Sequence, residues 1–237
     1  MAQNLESLEK EMESLADPAK AKILMRFFKT GSGQYGEGDI FIGIQVPALR
    51  RIANKYNKIS LDDTVKFLNS AKHEHRMVAL FILTSKFEKG DEKTKDEIFK
   101  LYLKNTKHIN NWDLVDLSAD KIVGNYLMDK KKDILYELAN SNNLWERRIS
   151  VLATFHFIKN NSAKDTIRIA AMLLKDEHDL IHKAVGWMLR EAGKRVSTDI
   201  LLEFLNQNYK IMPRTMLRYA IEKLPEKLRQ AYLKGKI

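Results

Sequence analysis

Apolar residues recur three and four positions apart along almost the whole chain, and alternation of period two is never sustained beyond a few residues. That spacing turns one face of each helix toward a core, so the sequence predicts an all-α protein. Residues suited to a first helical turn mark the starts. Pro18, Pro47 and Pro213 stand where a missing amide proton costs nothing, and Ser60, Asn111, Asn143 and Asp179 precede apolar-periodic runs as side-chain caps. One stretch breaks the pattern: TGSGQYGEGD, residues 30–39, holds four glycines and a tyrosine and predicts a flexible loop between helices. No strand precedes it and no Gly-Lys-Ser/Thr follows, so it is not a phosphate-binding P-loop.

The helical segments resemble one another. EHRMVALFIL, NWDLVDLSADKIV, WERRISVLATFHF, LIHKAVGWMLREAG and MPRTMLRYAIEKL align on Arg76, Trp112, Arg148, Lys183 and Arg214, at intervals of 31 to 36 residues. This is the period of helical-hairpin repeats, none of which buries its apolar face alone. The expected architecture is therefore an α-solenoid over 1–237, a single domain whose repeats stack and leave a concave surface lined by one helix from each.

Composition narrows the partner. Lys and Arg number 41 against 31 Asp and Glu, a net charge of +10, with 44% hydrophobic residues to support a packed core. Such an excess favours a polyanion. Its basic residues are spread through the repeats and not gathered beside an apolar anchor, which disfavours a membrane surface. Cysteine is absent, which excludes disulfides, thiolate nucleophiles and Cys-ligated metals and suits a reducing cytoplasm. The charged first residues carry no signal core, and no apolar run reaches membrane-spanning length. The expectation is a cytoplasmic protein, nucleoid-associated when bound to DNA.

Five side chains carry candidate chemistry. Trp112 and Asp116 are four residues apart and share a helical face. Trp112 either packs in the core or meets a ligand; Asp116 either caps or pairs with arginine, or serves a cation from the solvent side. Trp187 follows Gly186, whose cost inside a helix calls for a close approach by a neighbouring helix or by a ligand. Arg148 and Arg190 are solvated or paired by default, and phosphate anchors if they face the groove. Histidine offers less: the two rings of the 73–75 HEH run point to different faces, and His178 with His182 lacks a third ligand, so no metal site is expected. No serine or threonine sits in a nucleophile elbow.

FIGIQVPALRR, NNWDLVD, WERRISVL and HKAVGWMLREAGK, in this order and at similar intervals, resemble the signature stretches of the AlkD-like DNA alkylation repair glycosylases over nearly the whole chain. The resemblance implies HEAT-like repeats cupping duplex DNA in a concave groove. It further implies hydrolysis of the N-glycosidic bond of alkylated purines such as 3-methyladenine and 7-methylguanine by a monomer, without cofactor and without extruding the base into a pocket. By the same likeness, Asp116, Trp112 and Trp187 are catalytic at the lesion's deoxyribose, while Arg148, Arg190, Gln45 and Arg50 contact DNA. Two positions depart from relatives: Phe27 or Phe28 stands where some have tyrosine, and His156 where some have lysine. The competing expectation is a non-catalytic HEAT-like module that binds DNA or an acidic protein.

Overall fold

The computed structural model describes residues 4–237, and among them every regular element is helical. The chain forms two compact units, divided in sequence between Ser118 and Ala119.

The first unit contains α1 (Leu5–Ser14), α2 (Pro18–Phe27), α3 (Val46–Lys55), α4 (Leu61–Leu68), α5 (His73–Lys89) and α6 (Glu92–Lys104). A 3₁₀ turn at Thr106–His108 then leads to α7 (Trp112–Ala119), whose final residue opens the second unit. Side chains cap several of its helix starts, though not those of α3 and α5. Asp17 accepts from the amides of Ala19 and Lys20 with Pro18 in the first turn, Ser60 accepts from Asp63, and Asp91 accepts from Thr94. Helix α5 is the centre of this unit, packed by α3, α4 and α6, and its residues from His73 to Leu83 are buried on every side. A helix enclosed this way has no polar face to display, which is why its sequence is nearly unpatterned.

In the second unit, α7 passes into a π turn at Asp120–Gly124 and continues as α8 (Asn125–Leu127). There follow α9 (Asp133–Ala139), α10 (Leu144–Lys159), α11 (Lys164–Met172), α12 (Asp179–Arg195), α13 (Thr198–Asn208), α14 (Arg214–Ala220) and α15 (Glu226–Leu233). Helices α9 with α10, α11 with α12, and α12 with α13 pack as neighbours, and α10 lies against α12 and α12 against α14. That is the stacking of an α-solenoid. Leu144, Asp179 and Arg214 open the alternate helices α10, α12 and α14 at a constant 35-residue interval.

Gly186 has a packing reason. A Cβ there would lie 2.5 Å from the Met216 carbonyl oxygen and 2.6 Å from Tyr219 Cβ, so glycine lets α14 approach α12. The cap of α12 is His178, whose Nδ1 accepts from the Leu180 amide; Asp179, expected as the cap, is the first helical residue.

The repeat register also shifts. Arg76 and Arg147 each stand three residues into their helices, and each sends Nη1 back to a carbonyl six residues earlier, Ser70 and Ser141 respectively. Arg76 therefore matches Arg147, where the sequence alignment chose Arg148. Trp112 opens its helix as Leu144 and Asp179 do, and Asp116 is the residue that shares a helix position with Arg148 and Lys183.

Candidate functional site

Helix α7 begins at Trp112, whose amide donates to Asn111 Oδ1 at 2.9 Å. The indole is half-buried and packs on a cluster formed by Ala21, Phe28 and Phe41, with Leu24 and Met25 beside it. Its ring stacks on Phe28 at 5.2 Å between centroids, Phe28 stacks on Phe41 at 4.9 Å, and Phe41 stacks on the His73 imidazole at 4.3 Å. Each contact is nearly parallel. The indole is thus both a packed residue and a partly open one, fixed in plane by three rings behind it. Asp116 is likewise half-buried, one helical turn along α7 on the face that carries Trp112.

Of the two phenylalanines at the position of departure from relatives, Phe28 is the buried member of this stack. Phe27 is 62% exposed and meets Trp112 edge-on at 6.2 Å.

The end of the glycine-rich loop closes beneath these rings. Residues 31–39 form consecutive hydrogen-bonded turns, in which Gln34, Glu37 and Asp39 donate their amides to the carbonyls of Gly31, Gln34 and Gly36. Asp39, buried, then meets His73 Nδ1 at 3.0 Å, while His73 Nε2 meets Asp113 Oδ2 at 2.9 Å. Arg76 adds an ion pair to Asp39 at 2.6 Å, and the side-chain amides of Asn110 and Asn111 donate to the same carboxylate. Burial of the His73 ring favours its neutral form, yet the bonds to Asp113 and Asp39 prevail and raise its pKa above the ordinary value. Burial likewise works against ionised Asp39, and His73 with Arg76 holds it below the ordinary carboxylate range. Sequence reasoning missed this constellation. The HEH run was visible, but its partners lie 34 and 40 residues away, and only the folded chain brings them together.

Next to it, Glu74 accepts from the amides of Ile42, Gly43 and Ile44, at 2.8 Å from Gly43. Gly43 has φ of +89°, and a Cβ there would sit 2.1 Å from the Asp17 carbonyl oxygen, so this approach needs glycine. The nest sets the path of the chain into α3, and so places Gln45, the exposed residue just before α3, and Arg50, exposed and lying over the Phe81 ring at 4.3 Å.

Within the second unit, Arg148 is only 5% exposed and donates from Nη1 to the Leu180 carbonyl at 2.6 Å. Trp187, half-buried, has Phe155 at 6.0 Å. Arg190 pairs with Glu222 and, at 3.3 Å, with Glu191, which Arg195 also engages. Burial disfavours ionised Glu191, and the two arginines outweigh it and lower its pKa. His156 is partly buried, and burial together with Lys159 lowers its pKa, so it is uncharged at neutral pH. Among the described residues no helix is long and apolar enough to cross a membrane.

The model of the DNA alkylation repair enzyme family matches residues 8–224. The chain belongs to this family. Its role is accordingly in the repair of alkylated DNA, as an enzyme with DNA as its substrate. A solved structure described as a predicted DNA alkylation repair enzyme from Enterococcus faecalis is similar in fold, with a TM-score of 0.70 over 89% of this chain and 97% of that one at 16% identity. No curated protein matches the chain.

Proposed function

We propose that this alkylation repair protein is a DNA glycosylase, hydrolysing the N-glycosidic bond of cationic purines such as 3-methyladenine and 7-methylguanine in duplex DNA. It would act as a monomer forming one functional domain, without a cofactor and without a base-extrusion pocket. The observation that carries this reading is the α7 face, where a half-buried carboxylate, Asp116, follows by one turn an indole braced by Phe28 and Phe41.

An alkylated purine with a formal positive charge leaves without being protonated. The electron pair of its bond to C1′ departs with the base and neutralises it, leaving an oxocarbenium-like sugar; water adds to C1′ and loses a proton. What such a reaction asks of a protein is an anion and π faces beside the developing cation. A carboxylate about 4 Å from the sugar, at an effective dielectric near 20, contributes about 4 kcal/mol, roughly a thousandfold in rate. An indole adds about 0.5 to 2 kcal/mol. Asp116 therefore dominates and also serves to orient the water. By family likeness Trp187 offers a second indole to the DNA, and Arg148, Arg190, Gln45 and Arg50 hold its backbone.

The test is base release from methylated duplex DNA, without added metal, by wild type beside Asp116→Asn. We expect release of 7-methylguanine by wild type and loss of about a thousandfold in the variant, with duplex affinity retained. A folded wild type that binds duplex yet releases none of several cationic bases overturns the reading and identifies a binding module instead, and equal release by the two proteins removes Asp116 from the chemistry.

A further inference from the structure

Both ring nitrogens of His73 face carboxylates, Nδ1 toward Asp39 at 3.0 Å and Nε2 toward Asp113 at 2.9 Å. An ionised carboxylate only accepts, so both contacts are hydrogen bonds only when both nitrogens carry protons. The geometry therefore describes an imidazolium bridging two anions, with Arg76 on Asp39 as a second cation that brings the buried cluster to neutrality. A buried set of four charges is tolerated only when each is matched. Replacing His73 by a neutral residue leaves two carboxylates and one guanidinium, which pairs with Asp39.

His73 reaches Trp112 by two independent routes. Through Asp113, the residue after Trp112, it fixes the first turn of α7, and Asp113 Oδ1 turns back onto the Leu114 amide at 2.8 Å. Through its ring face it backs Phe41, which backs Phe28, which lies flat on the indole. The remaining partners of Asp39 are Asn110 and Asn111, which enter the same turn from the other side, and Asn111 also receives the Trp112 amide.

We infer that His73 is a positioning residue for base release, an imidazolium strut that sets the plane and height of the Trp112 indole through Asp113 and through the Phe41–Phe28 stack. This rests on the glycosylase reading for its consequence in rate, while the placement of the indole stands apart from it. The charged groups facing His73 are Asp39 from the loop, Asp113 from α7 and Arg76 from α5; Glu74 is turned away onto the Ile42–Ile44 amides.

The experiment compares wild type, His73→Gln and Asp113→Asn, each with 5-fluorotryptophan at the three tryptophan positions. Fluorine NMR then reports each indole, with Trp112 assigned through Trp112→Phe. Single-turnover release of 7-methylguanine and duplex affinity are measured on the same proteins between pH 6 and 9. We expect the Trp112 resonance to shift or broaden in both variants while those of Trp145 and Trp187 hold. Release should fall at least tenfold with affinity changed less than twofold, and any fall of wild-type release on the alkaline side should be absent from His73→Gln. Should His73→Gln not fold, Asp113→Asn, which keeps an acceptor facing the ring, carries the test. An unmoved Trp112 resonance in a folded variant overturns the inference, as does release that falls only as far as the unfolded fraction rises. If wild type releases no base yet the Trp112 resonance still moves, the glycosylase reading fails and the strut stands.

Discussion

Arg148 and the carbonyl of Leu180 are joined by a 2.6 Å hydrogen bond that ties the body of α10 to the first turn of α12. The guanidinium is buried, so the bond is made without competition from water. Removing a buried charged donor leaves its acceptor unsatisfied, a loss of about 3 kcal/mol. Arg148→Ala should therefore lower the denaturation midpoint as well as any affinity for DNA. Equal chemical stability of variant and wild type would show that the bond contributes nothing to the fold.

Gly186→Ala opposes two effects on one residue. Alanine gains about 1 kcal/mol of helix propensity over glycine. Its Cβ would stand 2.5 Å from a main-chain oxygen of α14, which cannot move aside as a flexible side chain does. Overpacking of this kind costs about 1 to 3 kcal/mol, which the propensity gain offsets only in part. Calorimetry should record a lower Tm for the variant, and a raised Tm would mean that α12 and α14 separate freely.

The first unit should lose stability on both sides of neutrality. His75, buried and stacked on Phe67, has its pKa pushed down to about 4, by burial and then by Lys72. It stays neutral in the fold while the unfolded chain binds a proton below about 6.5, so its contribution is complete above pH 6.5 and disappears as pH falls toward 4, a change of about 3 kcal/mol. Asp39, with a lowered pKa, adds a contribution that is full above its ordinary value of 3.8 and fades below it. His73 has the opposite sign. Its raised pKa gives a contribution complete below 6.5 and lost as pH climbs through the folded value. Urea unfolding of His75→Phe between pH 4 and 7 should lose most of the wild-type slope, and an unchanged slope would contradict the assignment.

Duplex binding should weaken linearly in log affinity against log salt, with a slope of about 0.9 for each phosphate neutralised. Arg50 is exposed and free of any carboxylate among its named contacts, whereas Arg190 is held by Glu222 and Glu191. Arg50→Ala is expected to reduce the slope by about one, and Arg190→Ala by less. The reverse ranking would place the phosphate contact on α12.

Local signals were readable from the sequence because they act locally. Pro18, Ser60 and Asn143 mark helix starts whose hydrogen bonds close within three residues, and the all-α period follows from the same short range. The repeat interval was also legible, but its register was not: adjacent Arg147 and Arg148 satisfy the same pattern, and only the bonds to Ser141 and Leu180 tell them apart. Gly186 announced a close approach without saying to what. The Asp39, His73 and Asp113 set was invisible, since no spacing rule connects residues whose meeting depends on how a loop and two helices pack. Asp116 and Trp112 were singled out by type and spacing, while the aromatic wall behind Trp112 needed Phe28 and Phe41 brought from other elements.

The π turn at Asp120–Gly124 accommodates one residue more than the α-helical turn it replaces. Each residue advances an α-helix by about 100°, so the side chains of Asn125–Leu127 stand that far around the axis from an uninterrupted continuation of the Trp112 face. Deleting one residue inside this segment would restore ordinary winding locally while leaving Trp112 and Asp116 untouched. Members of the family lacking the extra residue would then be aligned correctly only by opening a gap here, downstream of the acid and upstream of the arginines.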